Sequence, residues 1–181
     1  MTLISADGNR IQISAFAAAD QAGVIDVVLP IQQDEFGVPI TVADQPDLGA
    51  IETFYQSGLG GFWVAKVDGR VVGTIALKDI GGREAALRKM FVAAPYRGPA
   101  FGTAKQLLDT LLTEAAKRGI RRIFLGTTDK FVAAHRFYEK NGFVEVARGD
   151  LPASFPLMAV DSRFYKVELA AGETVGRPGK A

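Results

Sequence analysis

The alternation of apolar and polar residues along the chain predicts its first strand and the helices that follow it. From Arg10 to Phe16, apolar residues alternate with polar ones, as in a strand with one buried face. From Asp20 to Phe36, apolar residues recur at helical spacing, and Pro30 predicts a kink or a split because proline lacks an N–H group. A second, short helix is predicted to begin at Pro46 and Asp47.

Two apolar runs joined by a two-residue turn predict a β-hairpin. The runs are Phe62 to Val67 and Arg70 to Leu77. Asp68-Gly69 between them suits a type I′ turn, which needs a positive φ at both residues. Gly81-Gly82 marks the next turn.

The following strand, Glu84 to Val92, does not keep a single apolar face. Leu87 and Phe91 have one parity, whereas Met90 and Val92 have the other. A β-bulge between Leu87 and Met90 would reconcile this pattern, and bulges often lie beside active sites. A strand that is buried on both faces explains the pattern equally well.

The second half of the chain predicts two more helices and three more strands. They are a helix over Ala100 to Arg118 capped by Gly119, a strand over Arg121 to Gly126, a helix over Phe131 to Asn141 stopped by Gly142, and strands over Phe143 to Ala147 and Met158 to Leu169. The order β-α-α-β-β-β-α-β-α-β-β indicates an α/β (α+β) fold with a mixed sheet and helices on both faces. We expect one domain over 1–170 and a flexible tail over 171–181.

Composition narrows the possible functions. The chain has 181 residues and a net charge of +1, from 21 basic and 20 acidic residues, which gives no electrostatic footprint for nucleic acid or an anionic membrane. It has no cysteine and a single histidine, His135, which excludes thiolate chemistry and a multi-histidine metal site, so we expect no metal. We find neither a signal segment nor an apolar run of membrane-spanning length, and expect a cytoplasmic protein without a nucleic-acid or membrane partner.

The segment from Leu87 to Thr128 predicts an anion site. A strand runs into a turn that carries Arg97, Gly98 and Gly102, and the turn opens the long helix. The first N–H groups of a helix have no internal partner, and the helix dipole favours negative charge there. The segment therefore predicts a phosphate-bearing ligand.

Two motifs resemble the signatures of one family, the GNAT N-acetyltransferase superfamily. The turn Arg97-Gly98-Pro99-Ala100-Phe101-Gly102 resembles its pyrophosphate loop, Arg/Gln-x-x-Gly-x-Gly/Ala, and the run from Ala134 to Phe143 resembles its second signature, Ala-x-x-x-Tyr-x-x-x-Gly-Phe. With the order of elements, the resemblance covers most of the chain. It implies a mostly antiparallel, twisted sheet of about seven strands.

The resemblance implies acetyl-coenzyme A as the co-substrate, with its pyrophosphate on the turn and the Thr103 hydroxyl among the donors. The implied cofactor-binding residues are Met90, Phe91, Val92, Arg97, Gly98, Pro99, Ala100, Phe101, Gly102, Thr103, Thr128, Ala134 and Phe137. The chain departs from the family at Pro99, which has no N–H, and at Ala100, where glycine is usual. Phe131 stands where many relatives carry a cofactor-contacting asparagine, and Thr128 is a candidate to replace that contact.

The resemblance also implies a catalytic role for Tyr138, whose hydroxyl would hydrogen-bond the leaving thiolate. Without the resemblance, a tyrosine on the apolar face of a helix is an ordinary core residue. A backbone N–H near Met90 or Phe91 is the candidate donor to the thioester oxygen. His135 lies at a position that is usually apolar in the family, so we expect it to pack rather than to react.

The sequence does not identify the general base, and Glu84 has two interpretations. It precedes the expected bulge and has the parity of Ala86, where many relatives carry glutamate, so it is a candidate base acting directly or through water. A solvated residue at a turn is the alternative. In the resemblance, the loop after Asp150 borders the acceptor pocket, where Phe155 and Asp161 are candidate substrate contacts, although loop packing explains them as well.

The predicted function is the transfer of an acetyl group from acetyl-coenzyme A to an amine. Direct attack in a ternary complex is expected, because no cysteine is present to carry an acyl intermediate. The acceptor is a small amine, an amino acid or a protein amine. The alternative is an acyl-coenzyme A sensor or interaction module without transferase activity. A homodimer is a further possibility, through the apolar last strand, Met158 to Leu169.

Overall fold

A computed structural model describes residues 2–4 and 10–170 of the chain. Its strands are β1 (Thr2–Ile4), β2 (Arg10–Ala15), β3 (Gly61–Val67), β4 (Arg70–Gly81), β5 (Glu84–Val92), β6 (Arg122–Thr127), β7 (Val144–Val146) and β8 (Arg163–Glu168). Its α-helices are α1 (Gln21–Pro30), α2 (Ile51–Phe54), α3 (Thr103–Lys117) and α4 (Val132–Lys140). The predicted tail, 171–181, lies outside the described residues.

The strands form one mixed sheet in the order β1-β2-β3-β4-β5-β6-β8-β7. The pair β5–β6 is parallel and the other pairs are antiparallel, which confirms the expected mostly antiparallel sheet. The described sheet has eight strands rather than about seven, because Thr2–Ile4 pairs along β2.

The last strand is shorter than predicted and is not at an edge. β8 begins at Arg163, because the carboxylate of Asp161 accepts the Met158 N–H group at 3.1 Å and closes a turn over the preceding residues. β8 lies between β6 and β7, so both of its edges are already paired. The idea that this strand pairs across a dimer is therefore wrong.

Helices cover both faces of the sheet, as predicted. On one face α3 and α4 bury a core that includes Leu107, Leu111 and Tyr138. On the other face, α1 and α2 bury a second core with Val28 and Tyr55. In the described part of the chain, no helix is both long and apolar enough to cross a membrane.

The predicted interruption at Pro30 is confirmed. The α-helix ends at Pro30 and continues as one π-helical turn, Ile31–Glu35, in which the Phe36 N–H group donates to the Ile31 carbonyl at 3.0 Å. A proline cannot supply the usual helical donor, and its ring crowds the preceding turn. The regular α-helix therefore ends at Pro30, and a wider turn follows it.

The turn before α3 is longer than predicted, so that the helix begins at Thr103 and not at Ala100. Gly102 has φ 65°, in the left-handed region, where it ends the turn and caps the helix. Pro99 and Ala100 therefore lie in an exposed loop rather than in the first helical turn. The predicted hairpin, by contrast, is confirmed, with positive φ at Asp68 (50°) and Gly69 (78°).

Candidate active site

A cleft opens in the sheet where β5 and β6 part. Their parallel register covers three pairs and ends at Ala86 and Phe124. Beyond this point, within the described residues, β5 continues to pair with β4 only and β6 with β8 only. Main-chain groups of both strands therefore face the gap, as at the edge of a sheet that can receive another extended chain.

The predicted β-bulge lies on β5, beside this cleft. Ala76 pairs with Arg88 and Thr74 with Phe91, so two residues of β5, Lys89 and Met90, stand opposite one residue of β4. Lys89 has φ 54°, and the Thr74 hydroxyl donates to its carbonyl at 2.6 Å. The bulge brings Leu87 and Met90 to the same face, where both pack in the core under α3. The bulge interpretation is therefore correct, and a regular strand buried on both faces is not.

A buried polar network fixes the Lys89 side chain. Its ammonium group donates to the Gln45 side-chain carbonyl at 2.7 Å and lies 3.4 Å from the Asp47 carboxylate, which also accepts the Tyr55 hydroxyl at 2.6 Å. Burial lowers the pKa of Lys89, and the nearby Asp47 charge opposes that shift. The network attaches the segment before α2 to the bulge. This network was not predicted from the sequence.

The start of α3 presents free donors. The N–H groups of Phe101 and Gly102 both bond to the Gly98 carbonyl, at 3.1 and 3.2 Å, and the first helical bond is that from Gln106 to Gly102. Within residues 2–4 and 10–170, the N–H groups of the three intervening residues, 103–105, have no partner. They are the donors that the helix N-terminus offers to an anion.

Two predicted phosphate ligands are already engaged. The Thr103 side chain is 1% exposed and its hydroxyl donates to the Tyr96 carbonyl at 2.9 Å, so the expectation that this hydroxyl is a phosphate donor is wrong. Arg97 donates from Nε to the Val92 carbonyl at 2.7 Å and pairs with Glu35 at 2.8 Å. Because the Arg97–Glu35 pair is partly exposed, it contributes little stability and leaves the guanidinium available for exchange.

Gln106 lies one turn into α3 with its amide buried. The side chain is 4% exposed, and neither amide atom has a hydrogen-bond partner in the described part of the chain. An unpaired buried amide is unfavourable. It therefore indicates a missing partner close to the helix start.

Tyr138 projects from α4 into an aromatic cluster. Its ring packs edge to face on Phe143, with centroids 5.5 Å apart, and lies 6.3 Å from the ring of Tyr165. Burial raises the pKa of the Tyr138 phenol, so the hydroxyl stays protonated. Among the described residues, none hydrogen-bonds this hydroxyl, which leaves it available to a ligand.

His135 has a structural role. Its Nε2 lies 2.8 Å from the Thr128 carbonyl and must donate, so its Nδ1 accepts from Arg163, at 3.0 Å. This neutral tautomer links α4 to the turn after β6 and to β8. The Thr128 hydroxyl accepts the Lys130 N–H group at 3.2 Å, so this residue supports the same turn.

The structure does not bring Glu84 to the cleft. Glu84 opens β5, five positions before the bulge residue Lys89, and its carboxylate bonds to Arg122 at 3.0 Å. Ala86, on the same face, is buried against the Phe124 and Phe155 cluster and carries no acidic group. The structure does not support Glu84 as the general base, and the solvated-turn interpretation fits its surroundings better.

A cavity of about 160 Å³ lies on the face of the sheet that α1 covers, between the bulge, β6 and the loop before β8. It is lined by Gln32, Leu87, Arg88, Lys89, Phe91, Gly126, Phe155, Pro156, Met158 and Asp161. Phe155 and Asp161 are thus brought to the pocket where the sequence placed them as candidates. Arg88 was not predicted from the sequence as a site residue, because its neighbour in the cavity, Met158, lies 70 residues further along the chain.

The fold and the two motifs agree with the comparisons with known proteins. Residues 25–143 match the model of the Acetyltransferase (GNAT) family. An acetyltransferase of the GNAT family from Staphylococcus aureus has a crystal structure with a TM-score of 0.83 and 42% identity, covering 88% of this chain and 99% of that chain. A PaiA N-acetyltransferase from Thermoplasma acidophilum, solved in complex with coenzyme A, has the same fold, with a TM-score of 0.66 and 20% identity.

Curated relatives match over part of their length. The N-acetylaspartate synthetase of Xenopus tropicalis is 40% identical over 104 residues, which are 55% of this chain and 37% of that protein. The human N-acetylaspartate synthetase is 37% identical over 106 residues, which are 58% of this chain and 34% of that protein. The match therefore spans little more than a third of these relatives. The family model and the solved relative cover enough of the sequence to show that the chain belongs to the GNAT family of acetyltransferases.

Proposed function

We propose that the protein transfers the acetyl group of acetyl-coenzyme A to the amine of a small acceptor by direct attack in a ternary complex. The observation that carries this proposal is the cleft at the β5 bulge. Free helix donors lie on the α3 side of the sheet, and an acceptor-sized cavity lies on the other side. A cleft between them gives the coenzyme arm a path from one to the other.

The residues at the start of α3 fit the coenzyme. The N–H groups of residues 103–105 and the helix dipole suit a pyrophosphate, and the glycines allow close approach of the backbone. Arg97 would exchange Glu35 for a phosphate at little cost, because the ion pair is partly exposed.

The coenzyme, when bound, supplies the thioester carbonyl that the amine attacks. The bulge turns the main chain at Met90 and Phe91, and an N–H group there would donate to the carbonyl oxygen as charge develops on it. The Tyr138 hydroxyl would donate a hydrogen bond to the departing sulfur. Because burial raises its pKa, the phenol would hold its proton and stabilise the thiolate rather than give the proton up.

A small acceptor fits the cavity better than a protein surface does. Its volume, about 160 Å³, suits a small molecule. The names of the N-acetylaspartate synthetases point to an amino acid, and that substrate class suits a cavity of this size.

The proposal is tested by incubating the protein with acetyl-coenzyme A and a panel of small amines. Thiol release is followed together with the mass of the acceptor, which should increase by one acetyl group. Thermal stabilisation by the coenzyme without thiol release on any amine would instead support the sensor alternative. Neither stabilisation nor release would overturn both.

A further inference from the structure

We infer that the cavity beside the Lys89 bulge is an amino-acid site, in which Arg88 binds the carboxylate of the acceptor and Asp161 receives its ammonium group. This inference rests on the proposed function, since it identifies the acceptor of the same transfer. Arg88 and Asp161 are two of the three charged side chains that line the cavity, and the third is Lys89.

Within the described residues, Arg88 is a cation without an anionic partner. It occupies the last position of β5 before the bulge, and its guanidinium lines the cavity. Across residues 2–4 and 10–170 no ion pair joins it to a carboxylate, and its hydrogen bond is to the Met158 sulfur at 3.4 Å. A thioether is a weak acceptor, whereas the planar guanidinium matches a carboxylate with two parallel bonds. Arg88 is therefore suited to an anionic ligand.

Asp161 offers a carboxylate that is only partly satisfied. It is 9% exposed, and one oxygen accepts the Met158 N–H group at 3.1 Å. In the described part of the chain, its other oxygen accepts no hydrogen bond. A buried carboxylate with spare acceptor capacity in a cavity is suited to an ammonium group.

Both charged side chains contact the same residue, Met158. Arg88 contacts the side chain of Met158, and Asp161 contacts its backbone. Nevertheless no ion pair joins the two within the described residues, so the nitrogen atoms of the guanidinium lie more than 4.0 Å from the oxygen atoms of the carboxylate. A cation and an anion separated in this way match the two ends of a zwitterion, and not a simple amine, which would leave the guanidinium without a partner.

The other groups of the cavity leave this charge pattern intact. The Lys89 ammonium is engaged by Asp47 and Gln45, so it does not compete for the acceptor carboxylate. Phe91 and Phe155 supply apolar walls. Among the described residues, the cavity therefore offers one available cation, Arg88, one available anion, Asp161, and apolar walls.

The same contact accounts for the proton that the reaction must remove. The bound ammonium would give one proton to Asp161, the amine nitrogen would form the C–N bond to the acetyl carbon, and the C–S bond would break with its electron pair left on sulfur. The second amine proton leaves with solvent. Burial raises the pKa of Asp161, although Arg88 and Arg148 oppose this, and a raised pKa makes the carboxylate a better base.

The test compares L-amino acids with the corresponding amino-acid amides, in which a neutral amide replaces the carboxylate. Each compound is assayed as the acetyl acceptor, with acetyl-coenzyme A as the donor. We expect kcat/KM to be about 10- to 100-fold higher for the acids, as for the loss of a charged hydrogen bond. Arg88→Gln should reduce this preference, because it should raise KM for the acids much more than for the amides. Arg121→Gln, an exposed arginine just before β6, is the matched control and should keep the preference.

The outcomes separate the two proposals. Equal rates on acids and amides, or a preference that survives Arg88→Gln, would overturn the amino-acid site while transfer itself stands. No thiol release on any acceptor would overturn the transferase proposal first. If Arg88→Gln fails to fold, Arg88→Lys replaces it. The ratio of kcat/KM for acids to that for amides is also measured on the wild-type protein, which needs no variant. For Asp161, the readout is the pH profile of kcat/KM. Without this base the amine must lose its proton before it binds, so the acid limb should move in Asp161→Asn toward the pKa of the free amine, and an unchanged limb would overturn this role.

Discussion

The carboxylate of Asp161 lies directly against the backbone of Gly126. A Cβ atom placed on Gly126 would lie 2.5 Å from Oδ2 and 3.2 Å from Oδ1 of Asp161. Gly126 is on β6 beyond the point where β5 parts from it, so the missing side chain is what lets the carboxylate enter the cavity. Here glycine is required for space and not for backbone conformation.

Gly126→Ala should reduce activity with little loss of stability. The added methyl must displace the Asp161 carboxylate, which is side chain and not backbone, so the fold should lose no more than the hydrogen bond from Met158, about 1 kcal/mol. We expect kcat/KM to fall about tenfold, because a misplaced catalytic group commonly costs this much or more. Steady-state assays and denaturant unfolding measure the two effects. Gly149→Ala, where a Cβ meets nothing within 4 Å, is the matched control, and equal activity in both variants would contradict the prediction.

Lys89→Met should destabilise the fold by about 3–5 kcal/mol, the usual effect of removing one partner of a buried ion pair. The Lys89 side chain is 6% exposed, and its loss would leave the Asp47 carboxylate buried without its cation. Urea unfolding measures the change. Lys105→Met, which removes an exposed pair with Asp109, should cost less than about 1 kcal/mol.

Addition of Asp47→Asn to Lys89→Met should restore part of that loss. The buried charge is then removed, while the asparagine oxygen can still accept the Tyr55 hydroxyl. If the double variant is as unstable as the sum of the two single variants, the residues are not coupled and the network is not what fixes the bulge.

Most of the fold could be predicted from the sequence, because it depends on local patterns. The Asp68-Gly69 turn and the split at Pro30 follow from the conformations that these residues permit. The bulge followed from a single conflict of parity between Leu87 and Met90. Such signals lie within a few residues of one another, where chain geometry alone decides the outcome.

The candidate site was predicted less well, because it depends on contacts between distant segments. The Thr103 hydroxyl looked free until the fold placed the Tyr96 carbonyl against it. Glu84 had the right parity but lies too early on β5 and is paired with Arg122. Arg88 was not a candidate, because it contacts Met158, which lies 70 residues further along the chain and lines the same cavity. No local pattern carries that information.

Asp161→Asn should change how stability depends on pH. Because burial raises the pKa of Asp161 in the folded state, the folded protein binds more protons than the unfolded chain between the two pKa values. The contribution of Asp161 to the free energy of unfolding therefore falls as pH rises through this window. Asp161→Asn should remove this fall and be at least as stable as the wild type at neutral pH. Urea unfolding at several pH values measures it, and a neutral-pH loss in the variant with an unchanged slope would contradict the prediction.

Tyr138→Phe and Tyr165→Phe should separate catalysis from packing, since both rings lie in the same aromatic cluster. In the described residues the Tyr138 hydroxyl has no partner, so its removal should leave stability unchanged. The Tyr165 hydroxyl donates to Glu139 at 2.8 Å, and its removal should cost about 1 kcal/mol.

For turnover, Tyr138→Phe should have the larger effect of the two variants, because only Tyr138 is proposed to contact the departing sulfur. We expect kcat to fall at least about tenfold in Tyr138→Phe, with coenzyme affinity kept, and to stay unchanged in Tyr165→Phe. Steady-state kinetics with denaturant unfolding measure both, and unaltered turnover in Tyr138→Phe would make this tyrosine a core residue and leave the thiolate to solvent.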